Sequence, residues 1–128
     1  MADVELTPML TVKDARAVAR FYEKAFAAKE LSRQSTPAGQ FIIEMAIGAQ
    51  HFYAVDENVA AFNASPATLR GTSVRLSVVV DDADALWQRA VAAGAEVIFA
   101  IADQPYGMRQ GRLADPEGHH WLIGRPLR

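Results

Sequence analysis

The sequence predicts an α+β fold made of two copies of one βαβββ unit, and three observations support this prediction. Residues 9–27 share a pattern with residues 77–95, in which a β-branched run is followed by an aspartate and an amphipathic stretch. Segments of alternating apolar and polar residues, typical of strands, follow each copy. The segment 115–118, DPEG, is a strong turn signal between two such segments. A repeat of this kind places matched positions of both units around one shared cavity.

Length and composition indicate a single globular domain over residues 1–128. We divide it into unit one (5–55), a linker (56–72) and unit two (73–125). The net charge of −2 does not favour nucleic acid or an anionic membrane as a partner. The absence of cysteine excludes disulfides and thiolate metal sites. No apolar stretch approaches the roughly 20 residues of a membrane span, and the N-terminus does not read as a signal peptide, so we expect a cytoplasmic protein.

In unit one, the alternation predicts a strand over 6–12, followed by a helix over about 15–27 with Asp14 as its N-cap. Further strands are predicted over 28–35, 41–47 and 50–55. The linker is rich in Asn, Ser, Pro and Gly, with one helical turn expected around 59–62.

Unit two repeats this order. A strand is predicted over 73–80, with an apolar face of Val74, Leu76, Val78 and Val80, and a helix follows that is capped by Asp82 and ends before Gly94. The remaining strands are predicted over 96–102, 108–114 and 119–124. Trp121 and Phe52 are expected in the core, and His119 is expected to bond turn backbone.

The opposite face of the strands carries hydroxyls, rings and charges, which suit the lining of a wet cleft better than a core. Tyr106 lies in a loop that could close over this cleft, although we favour a plain structural turn. The candidate ligand-binding residues are Thr7, Glu44, His51, Tyr53, Arg75, Ser77, Tyr106 and His120.

Several motifs together resemble the vicinal oxygen chelate superfamily, the group of glyoxalase I, bleomycin-resistance proteins and extradiol dioxygenases. They are the V-x-D-A start of each helix, FYEKAF, VDDADAL…AAGAEV and the ending YGMRQGRLADPEGHHW. The ending looks most like the glyoxalase-like subfamily associated with phosphonate operons. The resemblance implies an open eight-stranded mixed barrel, a helix on the convex side of each unit, and a homodimer. Whether the cleft is shared between the two chains stays open.

Enzymes of that superfamily hold a divalent metal with His and Glu from the first and last strands of each unit. Carried over by register, these positions are Thr7, Tyr53, Arg75 and Leu122. None of the four is an ordinary metal ligand, because Thr and neutral Tyr are weak, Arg repels a cation and Leu is inert. We therefore expect no metal cofactor.

Two alternatives remain open at individual residues. Glu44, His51 and His120 could form a displaced site for zinc, nickel or iron, but we favour the simpler interpretation that His51 is a residue at the cleft rim and that His120 only follows a turn. Arg75 could bridge Glu44 structurally or hold the carboxylate or phosphate of a ligand. Arg109 and Arg112 are expected to be solvated on a rim strand.

The first hypothesis for function is therefore a protein that binds a small organic molecule, with an anionic one favoured by Arg75, in a cleft without the usual metal. The alternative is a metal-dependent lyase, isomerase or dioxygenase that uses the displaced site. The sequence leaves open whether the protein is an enzyme.

Overall fold

The computed structural model describes residues 3–128 and contains two four-stranded mixed sheets, each with a long helix on one face. No helix among these residues is long and apolar enough to cross a membrane. The elements in chain order are β1 (Met9–Val12), α1 (Ala15–Phe26), β2 (Lys29–Ser35), β3 (Phe41–Ile47), β4 (Gln50–Asp56), a 3-10 turn (Val59–Ala61), α2 (Pro66–Leu69), β5 (Arg75–Val79), α3 (Ala83–Ala92), β6 (Glu96–Asp103), β7 (Met108–Ala114) and β8 (His120–Pro126).

The two sheets have the same topology. The strand order is β1-β4-β3-β2 in unit one and β5-β8-β7-β6 in unit two. In each sheet the first strand lies parallel to the last, and the other neighbours are antiparallel. This is the arrangement of two βαβββ units in an open curved sheet, so the predicted fold class is confirmed.

The aspartates that precede the two long helices act as predicted. A side-chain oxygen of Asp14 accepts a hydrogen bond from the backbone N–H of Ala17, at 3.1 Å. Asp82 does the same with Ala85, at 3.0 Å. Each bond satisfies one of the free amides at a helix start, which stabilises the helix by about 1 kcal/mol.

The predictions missed one helix and were wrong at several strand boundaries, including the end of β8, which lies at Pro126 rather than at residue 124. The first strand begins at Met9 rather than at residue 6, and β5 begins at Arg75, which leaves the Val74 side chain 63% exposed. Pro8 lacks an N–H for the ladder, but its carbonyl still accepts from Tyr53 N at 2.9 Å. The predicted turn in the linker is present, and the unpredicted helix α2 follows it, capped by Ser65.

One hydrophobic core joins the two units. Helix α1 packs against α3, and Arg89 of α3 donates to the carbonyl oxygen of Lys24 near the end of α1, at 2.6 Å. Trp121 of β8 lies with its ring centroid 4.6 Å from that of Phe26 and 5.6 Å from that of Phe52. Trp121 and Phe52 are therefore core residues, as predicted, and Trp121 contributes from unit two to the core of unit one.

The buried carboxylate of Asp115 connects the units at the turn before β8. One oxygen accepts from the hydroxyl of Tyr22 at 2.6 Å and from Trp121 Nε1 at 2.9 Å. The other accepts from the backbone N–H groups of Glu117 and His119. Burial, followed by the nearby charge of Asp115, raises the pKa of Tyr22 well above its ordinary value, so the hydroxyl keeps its proton and remains a donor.

Two neighbours of Asp115 add further links to unit one. The ring of His119 donates from Nε2 to the carbonyl oxygen of Thr11 at 2.8 Å. The ring therefore bonds strand β1, whereas the prediction was that it would bond the backbone of its own turn. The carboxylate of Glu117 accepts from the backbone N–H groups of Lys13 and Asp14, at 2.6 and 3.1 Å.

The prediction that Arg109 is solvated was wrong. Its guanidinium bonds both carboxylate oxygens of Asp84 on α3, at 2.8 Å to Oδ1 and 2.9 Å to Oδ2, and also reaches Asp103. The hydrogen bonds from Arg109 hold the pKa of Asp84 below its usual range. Arg109 therefore ties β7 to α3, because alternation turns its side chain to the helix-covered face.

We expect the substitution Tyr22→Phe to destabilise the protein by about 1.5–3 kcal/mol, the range for a hydrogen bond to a charged group. The substitution removes one of the four donors to Asp115 and preserves the packed ring. Urea unfolding followed by circular dichroism measures the change. The matched control is Tyr106→Phe, whose hydroxyl is at the surface, and we expect it to stay within about 0.5 kcal/mol of the parent chain. Equal stability of both variants would contradict a structural role for the Tyr22–Asp115 bond.

Candidate functional site

Each sheet has a face that no helix covers, and strand register places most candidate residues there. In unit one, Glu44 lies opposite Tyr53, and His51 is two residues from Tyr53 on the same strand, so all three share the helix-free face. In unit two, Arg75 lies opposite His120, and Ser77 lies opposite Leu122.

Glu44 and His51 form the closest polar contact among the candidates. Oε2 of Glu44 is 2.9 Å from Nδ1 of His51, while Oε1 is 3.4 Å from the Ser32 hydroxyl, which donates to it. Among the ion pairs of residues 3–128, none joins Glu44 to Arg75. Glu44 therefore orients the imidazole of His51. Arg75 has no carboxylate partner among residues 3–128.

The larger cavity lies at the seam between the units, and we call it the interunit cavity. Its volume is about 530 Å³, within the range of roughly 300–1,000 Å³ typical of small-molecule sites. Edge strand β5 forms one wall, and the start of β4 with the segment before β1 forms the other. The apolar lining residues are Leu6, Pro8, Ile47, Phe52, Leu76, Val78, Val79, Val80 and Trp121, and the polar ones are Gln50, His51 and Ser77.

The apolar row of β5 owes its incomplete burial to this cavity. Leu76, Val78 and Val80 face the helix side as predicted and pack against the core, but they stay partly accessible. Because β5 has no neighbour on its outer edge among residues 3–128, the core opens there instead of closing.

A smaller cavity of about 210 Å³ lies on the helix-free face of unit two, and we call it the arginine pocket. It is lined by Arg75, Phe99, Gln104, Tyr106, Gln110, Gly111, Arg112 and Leu122. Arg112 is half-buried, so the prediction that it is merely solvated was wrong. Its guanidinium carbon lies 5.5 Å from the ring centroid of Phe99.

The candidate residues are thus distributed over distinct places. His51 and Ser77 line the interunit cavity, whereas Arg75 and Tyr106 line the arginine pocket. Glu44 contacts His51 and lines neither of these two cavities. Thr7 lies between the cavity residues Leu6 and Pro8, and Tyr53 and His120 occupy the helix-free faces beyond the two linings.

Sequence reasoning missed Phe99, Gln104, Gln110 and Arg112 as pocket residues. The signal was present for two of them, because Gln110 and Arg112 alternate along β7 on the side opposite Leu113. Phe99 could not be placed, since β6 contains irregularities between Val97 and Ala102 that shift its register.

The residues at the superfamily's metal positions do not fit a metal. Among residues 3–128, no group of three or more His, Cys, Asp or Glu side chains could hold a metal ion. Glu44 and His51 are together, but His120 belongs to the other unit's sheet, where it lies opposite Arg75. The positive charge of Arg75 disfavours a cation on that side.

Comparison with known families places the chain. Residues 6–123 match the model of the glyoxalase/bleomycin resistance protein/dioxygenase superfamily. The chain therefore belongs to this superfamily, which confirms the resemblance drawn from the two helix starts and the DPEGHHW ending. A protein of Mycobacterium bovis described as uncharacterized is 41% identical, over 96% of this chain and 84% of its own length.

Solved structures show the same fold. A glyoxalase/bleomycin resistance protein/dioxygenase family enzyme from Burkholderia phytofirmans is similar with a TM-score of 0.76 and 24% identity, over 93% of this chain and 95% of that one. TnmS3, an antibiotic binding protein from Streptomyces, is similar with a TM-score of 0.70 and 21% identity, over 98% and 99% of the two chains.

Proposed function

We propose that this protein binds a small organic molecule in the interunit cavity, without the metal that superfamily enzymes use. The observation that carries this proposal is the cavity itself, which has apolar walls from both units and a few polar groups at His51, Gln50 and Ser77. Sites for small organic ligands have this composition. The similarity to an antibiotic binding protein supports this proposal, because it shows that the fold can serve a binding role.

Arg75 supports an anionic ligand. It lines the arginine pocket rather than the interunit cavity, so the preference for an anion belongs to that second pocket, and it carries a charge with no carboxylate partner among residues 3–128. An arginine in this position matches a carboxylate or phosphate in charge and in geometry. The cytoplasmic location and the place in the phosphonate-operon-associated subfamily remain predictions from the sequence.

The binding proposal is tested with the neutral apolar fluorophore N-phenyl-1-naphthylamine. We expect saturable binding to the full chain, and we expect Ser77→Phe to weaken it at least tenfold, about 1.4 kcal/mol, because the ring occupies the rim of the cavity. Ser73→Phe is the matched control, since Ser73 is exposed, precedes β5 and is outside the cavity lining. Non-saturable fluorescence, or equal binding by both variants, would overturn the proposal.

A second candidate function is a metal-dependent lyase, isomerase or dioxygenase. One observation favours it, namely that Glu44 and His51 already contact each other as two members of the displaced ligand set. The third member, His120, would have to come from a second chain or from a rearrangement.

Metal content separates the two candidates. Since the residues at the superfamily's metal positions are poor ligands, we expect the purified protein to carry negligible zinc, nickel or iron, and we expect added metal to raise the melting temperature little. Inductively coupled plasma mass spectrometry gives the content. One equivalent per chain, lost in both His51→Ala and His120→Ala but retained in His119→Ala, would favour the metal-dependent alternative.

We also propose a homodimer. The outer edges of β1 and β5 have no strand partner among the described residues, and unpaired edges favour association. We expect light scattering at micromolar concentration to give a mass near twice 13.9 kDa. A mass of one chain under these conditions would refute the dimer.

A further inference from the structure

The arginine pocket carries two positive charges and no negative one. Arg75 and Arg112 both line it, and the remaining lining side chains among the described residues are amides, rings and Leu122. The acidic residues Asp84 and Asp103 bond to Arg109 and do not line this pocket. Two guanidinium groups without a counter-charge favour an anion between them.

Arg112 has a donor that the protein does not satisfy. Its Nε is fully buried and has no hydrogen-bond partner within residues 3–128. A buried donor on a charged group is costly to leave unpaired. Because this Nε is closed to solvent, a ligand carboxylate would bond Arg112 through the terminal nitrogens of the guanidinium instead.

Aromatic rings flank these charges. Phe99 and Tyr106 are each 62% exposed, although both are large and apolar over most of their surface. Phe99 stacks with Arg112, and Leu122 lies beside Arg112 on the neighbouring strand. Exposed rings next to a guanidinium offer a planar ligand both a stacking surface and a charge.

The wall formed by the 104–107 loop is held in place before any ligand binds. The hydroxyl of Tyr106 donates to Oε1 of Gln110 at 2.7 Å, and Nε2 of Gln104 donates to the carbonyl oxygen of Gln110 at 3.0 Å. A preformed wall reduces the entropy lost on binding. It also limits ligand size, since the volume of about 210 Å³ is below the roughly 300 Å³ at the lower end of drug-sized sites.

From these observations we infer that the arginine pocket binds a small monocyclic aromatic carboxylate. The carboxylate bonds Arg112 and Arg75, and the ring lies against Phe99, Tyr106 and Leu122. This inference goes beyond the proposed function, because it assigns a ligand to a second cavity that is separate from the interunit cavity.

Benzoate is the probe for this inference. Titration of the full chain by isothermal calorimetry should show one site for benzoate. We expect at least tenfold weaker binding of benzamide, which lacks the charge, and of inorganic phosphate, which lacks the ring. Cyclohexanecarboxylate, which keeps the charge without a planar ring, should bind more weakly than benzoate by a factor of three or more. Equal affinity for benzoate and benzamide, or for benzoate and phosphate, would overturn the inference.

Variants locate the site. Arg112→Gln and Phe99→Leu should each weaken benzoate binding at least fivefold, whereas Arg20→Gln, an exposed arginine on α1, should leave it unchanged. If Arg112→Gln fails to fold, as judged by its thermal transition, Arg75→Gln replaces it, because Arg75 is exposed. Unchanged benzoate affinity in the folded arginine variant would overturn the inference.

The same variants distinguish this inference from the proposed function. N-phenyl-1-naphthylamine should bind Arg112→Gln and Phe99→Leu as tightly as the parent chain, since neither residue lines the interunit cavity. If the parent chain binds the fluorophore but not benzoate, the inference about the arginine pocket fails and the proposed function stands. If it binds benzoate but not the fluorophore, the proposed function of the interunit cavity fails and the inference about the arginine pocket stands.

Discussion

The hydrogen bonds to Asp115 are the constraint on which the arrangement of the two units depends. A carboxylate with so little exposure is stable only when its oxygens are bonded, and here the donors come from α1, from β8 and from the turn itself. The Tyr22 and Trp121 rings converge on one oxygen and are thereby held at 5.4 Å in the shared core. The position of unit two against α1 follows from this convergence.

That arrangement also determines where the cavities lie. The units meet through α1, α3 and Trp121, so their first strands are not paired with each other. The seam therefore remains open beside β5, with Phe52 and Trp121 at its base. Strand β5 has an apolar row toward the seam and a polar row, including Arg75, toward the helix-free side. A single edge strand thus contributes to both cavities, since residues from both of its faces line the interunit cavity and Arg75 lines the arginine pocket.

The sequence was sufficient for the strands and the two long helices, and insufficient for helix α2 and for the contacts. Period-two alternation and the 68-residue repeat predicted every strand, because a strand in a half-buried sheet must alternate. Asp14 and Asp82 marked the helix starts because capping is a local interaction. Alternation reports which face a side chain takes but not which neighbour it meets, so the pairs Glu44–His51 and Arg109–Asp84 were not foreseen. The separation of His51 from Arg75 into different cavities likewise depends on how the units pack.

The Tyr22–Asp115 bond also bears on how the chain is made. Tyr22 leaves the ribosome long before Asp115, which is 93 residues further along the chain, and the contacts from Glu117 to Lys13 and from His119 to Thr11 span 104 and 108 residues. During synthesis, the Tyr22 hydroxyl on α1 and the Thr11 carbonyl on β1 are therefore formed before their partners, Asp115 and His119, have been added to the chain. Although the molecule is a duplicated unit, its first half cannot complete its own interior, and the nascent protein reaches its final packing only when the last hairpin has emerged.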